Sequence, residues 1–227
     1  MDISKEIEII ITEDGSSSLR RKDLGEGYHS SHGAIAESMH IFINSALNYY
    51  KDLNPNQNRI NILEIGFGTG LNALLSLSYC LENKIEIYYQ SVEKYPLSYD
   101  IISKLNYGIL VSNQEGFLKL HNTDWQKEEK IGENFILEKI EGNGEDLDYK
   151  EDFFDIIYFD AFAPQFEENL WRERMFAKLY TSLKQGGILS TYCCKGDVKR
   201  ALKSSGFKIE KLPGPKGKRE ILRAIKE

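Results

Sequence analysis

Cysteine is scarce, and its pattern excludes the simplest way to staple a small fold. The 227 residues hold three cysteines, Cys80 and the adjacent Cys193 and Cys194, an odd number that forms no disulfide framework. Histidine is nearly as rare. His29 and His32 stand close together in a serine-rich loop with Glu37 and His40 beyond them, but no cysteine or further histidine completes a ligand set, so no metal is expected. No apolar run approaches the roughly 20 residues that cross a bilayer, so no membrane is expected. The opening MDISKEIEIII carries acids where a secretory leader has a basic start. These absences point to a reducing, cytoplasmic setting. A nucleophile elbow (GxSxG) is missing, and no Lys-Ser or Lys-Thr follows the glycine-rich stretch, which excludes a serine hydrolase of that type and a nucleotide triphosphate loop.

What is present is enough for a core. Hydrophobic residues make up 41% and aromatics 11%, the scale of one large domain or one domain with a small appendage. Net charge is −6, unevenly spread. From residue 184 onward there are twelve Lys and Arg against four Asp and Glu, a local +8, which leaves −14 on the rest. Such a segment is either a solvated surface or a face for an anionic partner.

IEIIITEDGSSSLRR reads as a hairpin around Asp-Gly, and GAIAESMHIFINSALNYY as a helix with apolar spacing at Ile35, Met39, Phe42, Ile43, Ala46 and Leu47. Residues 1–55 are expected to form this hairpin-and-helix appendage, and residues 56–227 the main domain. There, RINILEIGF, EIYYQSVEK, FILEKIEGN, FDIIYFDAF, GILSTYCC, FKIEKL and EILRAIKE are strand candidates. GLNALLSLSYCLEN, PLSYDIISKLN, NLWRERMFAKLYTSLK and DVKRALKSSG are the helices between them. Continuous apolar strands alternating with helices imply a doubly wound α/β sheet, Rossmann-like, with an antiparallel C-terminal edge.

LEIGFGTGLN places Gly66, Gly68 and Gly70 between a strand and a helix. The spacing is GxGxG rather than GxGxxG. Glu93 ends the next strand, where a carboxylate can accept bonds from both hydroxyls of a ribose. Asn143 follows the third strand; it is either a turn residue before Gly144 or an acceptor for an adenine amino group. Asp160 closes FDIIYFD before Ala-Phe-Ala-Pro, either as a strand-end cap or as an active-site group at the carboxyl edge of the sheet.

The glycine loop with Glu64 before it resembles the donor loop of class I S-adenosyl-L-methionine-dependent methyltransferases. EGYHSSHGAIAESMHIFI, GFGTGLN, VEKYPL, FFDIIYFDAFAPQFEENLW, LKQGGILSTYCCKGDVKRALKSSGF and KGKREIL make the likeness narrower. They resemble the methyltransferase half of the bacterial bifunctional enzyme family that finishes 5-methylaminomethyl-2-thiouridine in tRNA. That resemblance implies S-adenosyl-L-methionine as cofactor and Asp160 as the catalytic residue. It implies Glu64, Gly66, Gly68, Gly70, Asn72, Glu93, Asn143 and Glu37 on the donor side. Phe162, Pro164, Lys195, Lys218 and Arg219 would meet the anticodon stem-loop of tRNA, with Phe162 stacking on a base and Trp171 packed in the core. The family's box has glycine where Ala161 stands, and often aspartate where Asn143 stands. A flavin-dependent oxidoreductase partner domain is not among the matched stretches, so a stand-alone methylase with a separate oxidoreductase is expected. An aminopropyltransferase of related fold, or a non-catalytic nucleoside- or tRNA-binding module, is the alternative.

Overall fold

The computed structural model describes residues 6–227; the first five residues of the acidic opening lie outside it. The expected hairpin is present as β1 (Ile7–Ile11) and β2 (Ser17–Arg21), antiparallel with Ile11 opposite Ser17, and the short β3 (Glu26–Gly27) completes a three-stranded sheet. The expected helix runs from α1 (Ala34–Ser38) through a π-helical stretch (Met39–Asn48) into α2 (Tyr49–Leu53). Ile41, Phe42, Ala46 and Leu47 are its buried stripe. They join the core that covers one face of the main sheet.

That sheet has eight strands in the order β10-β11-β9-β8-β4-β5-β7-β6. β4 (Arg59–Ile65), β5 (Glu86–Glu93), β7 (Phe135–Glu141), β8 (Phe154–Phe159) and β9 (Leu183–Thr191) are parallel. β11 (Glu220–Ile225) pairs antiparallel with β9, and β10 (Lys208–Pro213) antiparallel with β11, which is the expected edge. Alternation decides the faces. Ile156 and Tyr158 of β8 point to the core beneath the N-terminal helix and α3 (Leu71–Asn83), while Ile157 and Phe159 point to the core beneath α7 (Glu173–Ser182) and α8 (Gly196–Ser204). Strand order reverses between β4 and β8, the place where doubly wound folds bind ligands outside the carboxyl ends.

Three boundaries differ from the sequence expectation. NLWRERMFAKLYTSLK is not one helix: Arg172 is extended, and a 3₁₀ turn (Glu168–Trp171) precedes α7. Leu183 and Lys184 already belong to β9, where Lys184 reaches Asp155. PLSYDIISKLN forms only the single turn α4 (Tyr99–Ile102). The helices α5 (Tyr107–Leu110) and α6 (Gln114–Asn122) and the edge strand β6 (Lys127–Lys130) were not foreseen. Gly116 interrupts α6, whose first turn is capped by Asn113, and KEEK lacks any apolar alternation.

One buried acid ties the layers together. Asp155 has no exposed surface; it accepts from the Asn61 amide at 2.7 Å, Tyr50 Oη at 2.9 Å, Gln57 Nε2 at 3.0 Å and Lys184 Nζ at 2.9 Å. Asp155→Ala orphans a buried amide and a lysine at once, and we expect a loss of about 3–5 kcal/mol. The check is a drop in the urea midpoint with an unchanged m value.

Candidate active site

The site is built on the backbone between β4 and α3. The Gly66 amide donates to Val92 O at 2.9 Å, and the Asp160 amide donates to Ile65 O at 2.9 Å, which draws the ends of β5 and β8 onto the loop. Gly66 sits at φ +98, and a Cβ there would lie 2.6 Å from the Asp160 carbonyl, so no side chain is tolerated. The Gly68 amide donates to Glu93 Oε2 at 2.9 Å, while Glu93 Oε1 accepts from the Tyr95 amide at 2.8 Å. Each of these carboxylate oxygens keeps a further lone pair for a ligand hydroxyl. Burial raises the Glu93 carboxyl above its ordinary range.

A brace that the sequence did not reveal stands behind the loop. His121 Nε2 lies 3.1 Å from Thr69 O and a Cβ on Gly70 would strike it at 2.7 Å. Burial pushes His121 down to about 4, so a neutral ring donates to that carbonyl. Lys139, 1% exposed, donates to His121 O at 3.1 Å and lies beneath the Trp125 ring at 4.9 Å.

Asn72, in the first turn of α3, bridges two acids. Its amide nitrogen lies 3.0 Å from Glu64 Oε1 and 2.9 Å from Asp160 Oδ2. Its Oδ1 is buried with no partner. Glu64 has no exposed surface and its other oxygen accepts from Ser91 Oγ at 2.6 Å. Glu64, expected on the donor side, lines neither cavity and is joined to the cleft through Asn72. Burial pushes both acids, Glu64 and Asp160, up to about 8.

Two cavities meet at Asp160. A narrow cleft of about 60 Å³ is lined by Gly66, Gly68, Thr69, Asn72, Glu93 and Asn143 among others. A wider cavity of about 360 Å³ is lined by Ser30, Glu37, Tyr192 and Lys218 among others. Tyr28, His29, Asp160, Ala161 and Phe162 line both, and the Tyr28 and Phe162 rings meet edge-to-face at 4.9 Å. In the cleft, the Asn143 amide nitrogen is held by Glu145 Oε1 at 2.9 Å and Asp146 Oδ2 at 3.0 Å, which leaves its oxygen as the acceptor for a ligand.

The loop carrying Asp160 is pinned from three directions. Trp171 Nε1 donates to Phe162 O at 2.7 Å, Tyr192 Oη to Ala161 O at 2.9 Å, and the Phe162 amide to Glu167 Oε2 at 3.0 Å. Trp171 is buried, as expected. Glu167, which had no spacing signal, is pushed up to about 7 by burial.

Other expectations are redistributed. Glu37, expected on the donor side, lines the wide cavity and not the cleft. Pro164 shapes the turn but lines neither cavity. Lys195 is exposed against Gln165, and Arg219 is exposed outside both cavities, so only Lys218 of the three cations enters.

Residues 112–227 match the model of a family described as S-adenosyl-L-methionine-dependent methyltransferase. The chain belongs to that family. Its cofactor is S-adenosyl-L-methionine, and the buried, unpartnered Asn72 Oδ1 and Thr69 Oγ1 lining the cleft fit a ligand with N–H and O–H donors. A relative in Leptospira interrogans, the tRNA 5-methylaminomethyl-2-thiouridine biosynthesis bifunctional protein MnmC, is 33% identical over 86% of this chain and 32% of its own length. The MnmC of Pseudomonas savastanoi is 29% identical over 98% of this chain and 35% of its own. The chain thus spans about a third of the length of these relatives. The crystal structure of MNMC2 from Aquifex aeolicus superposes with a TM-score of 0.80 at 26% identity, covering 97% of this chain and 70% of that one. The chain is an enzyme, a methyltransferase related to MnmC.

An acid whose folded pKa lies above its unfolded value binds more protons folded than unfolded, so stability falls as pH rises through that window. For Asp160 the window runs from 3.8 to about 8. Asp160→Asn should therefore be more stable than the parent at pH 8, with the gain vanishing near pH 4. Urea midpoints at the two pH values decide it.

Proposed function

We propose that this chain methylates the aminomethyl nitrogen of 5-aminomethyl-2-thiouridine at the wobble position of tRNA. The observation that carries the reading is the position of Asp160 in the shared wall of the two cavities. Glu93 would hold the ribose of the cofactor, Asn143 its adenine amino group, and Asn72 Oδ1 its amino end. Bound S-adenosyl-L-methionine would supply an electrophilic methyl on a sulfonium, so that an amine lone pair could form the N–C bond while the S–C bonding pair remained on sulfur.

The chain's own groups do the rest. Asn72 fixes one oxygen of Asp160 and leaves the other for an amine N–H. A cation held beside Asp160 lowers its pKa, so it becomes the carboxylate that orients the amine and faces developing positive charge. The proton shed by nitrogen passes through this carboxylate to water. Phe162, held at both its amide and its carbonyl, would stack on an unstacked base. Lys195, Arg219 and their exposed neighbours Arg200 and Lys203 would contact phosphates outside the cavity. A flavin-dependent oxidoreductase would supply the free amine, and the setting would be the cytoplasm.

One observation favours the aminopropyltransferase alternative: Glu26 and Glu37 join Asp160 around the wide cavity, as a polyamine would require. Labelled S-adenosyl-L-methionine, incubated with tRNA from cells blocked at the aminomethyl stage, separates the two. Label in the wobble nucleoside supports the methylase; label only in added polyamine, from a decarboxylated donor, supports the alternative. Asp160→Ala should lower kcat by about 10²–10³-fold, with donor Kd changed less than about tenfold. Undiminished turnover would remove Asp160 from the chemistry.

A further inference from the structure

The wide cavity holds more charge than methyl transfer needs. Glu37, on α1, is 7% exposed; its Oε2 accepts from the Ser30 amide at 2.7 Å and its Oε1 lies 2.9 Å from Lys218 Nζ. Lys218 belongs to the loop between β10 and β11 and lies over the Tyr192 ring at 4.1 Å. The pair therefore crosses the cavity from the N-terminal helix to the C-terminal loop, beside Asp160. The remaining titratable lining is Glu26, His29, His32 and the tyrosines. His29 is kept neutral by burial, and His32 turns its Nδ1 to Glu13 at 2.9 Å. One ammonium thus faces three acids, and it is already engaged.

We propose that Glu37 selects the acceptor by charge: by holding Lys218, it denies that cation to an anionic substituent on the incoming amine. The cavity then admits a bare aminomethyl group and rejects the same amine carrying a carboxylate. This rests on the functional reading above. Like charges brought together in such a cavity cost enough to exclude a partner, and an ammonium whose charge is already balanced by an ion pair, even one without an aligned hydrogen bond, does little to offset them. Glu37→Gln keeps an acceptor for the Ser30 amide and releases Lys218, while Lys218→Gln removes the cation and leaves the acid.

The experiment uses two tRNAs, one with aminomethyl and one with carboxymethylaminomethyl at the wobble uridine, each as substrate and as competitive inhibitor. The ratio of kcat/KM for the carboxylated to the bare acceptor should rise about tenfold or more in Glu37→Gln and fall in Lys218→Gln. Opposite movement in the two variants is the signature that general damage does not produce. An unchanged ratio in either folded variant overturns the proposal, and Lys218→Gln alone decides it if Glu37→Gln does not fold. Failure of the parent protein to label the aminomethyl tRNA overturns the functional reading instead, and is scored separately.

Discussion

The structure turns on one carboxyl group placed where it is costly. Asp160 sits at the mouth of β8, between a cleft and a cavity, and the described residues offer its carboxyl a single hydrogen bond, from Asn72. That is too little to keep a buried carboxylate ionised at its ordinary pKa. The surrounding design follows from holding this group still. Gly66 has no side chain because the Asp160 carbonyl occupies the space, and Trp171, Tyr192 and Glu167 pin the next two residues of the backbone. Glu64 lies deeper still and is bridged to Asp160 by the two hydrogens of the Asn72 amide. An amide that donates to two acids turns its own oxygen elsewhere, which is how the buried acceptor of the cleft arises.

The fold divides the work between its ends. The strand-and-helix core builds most of the cleft, with Tyr28 and His29 of the N-terminal segment completing its wall, while that segment and the C-terminal hairpin meet over the wide cavity. His40 Nε2 lies 2.8 Å from Pro213 O, Lys216 pairs with Glu13 at 2.6 Å and Lys218 with Glu37 at 2.9 Å. Those contacts also change the meaning of the basic C-terminal segment. Eight of its twelve cations, including Lys184, Lys208, Lys211, Arg223 and Lys226, are in ion pairs within the chain. Lys195, Lys199, Lys203 and Arg219 are outside any ion pair among the described residues, a smaller footprint for phosphate than +8 suggests.

The wall of the narrow cleft was legible because it is local. A strand, three glycines and a helix are contiguous, and Glu93 ends the next strand at the same edge, so parallel pairing brings them together. Asp160 was legible for the same reason, since β8 lies beside β4. The acceptor side was not. Glu37 and Lys218 are far apart in the chain and meet only through the packing of the hairpin loop on α1. The position of Glu37 on the wide cavity was consequently not legible. The depth of Glu64 was not legible, because spacing shows that an acid precedes the glycines but not that Asn72 stands between it and the cleft. The brace of His121 and Lys139 was invisible, because α6 with its internal glycine carries little helical signal.

Proton release on cofactor binding, measured calorimetrically at pH 7 in buffers of different ionisation enthalpy, reaches the core of this description. A carboxyl held neutral by burial must ionise when a sulfonium arrives beside it, and not when the neutral thioether S-adenosylhomocysteine takes the same place. The parent protein should release more protons with S-adenosyl-L-methionine than with the thioether, and Asp160→Asn should lose that difference. Equal release for both ligands in the parent protein would contradict the coupling between the buried acid and the donor charge.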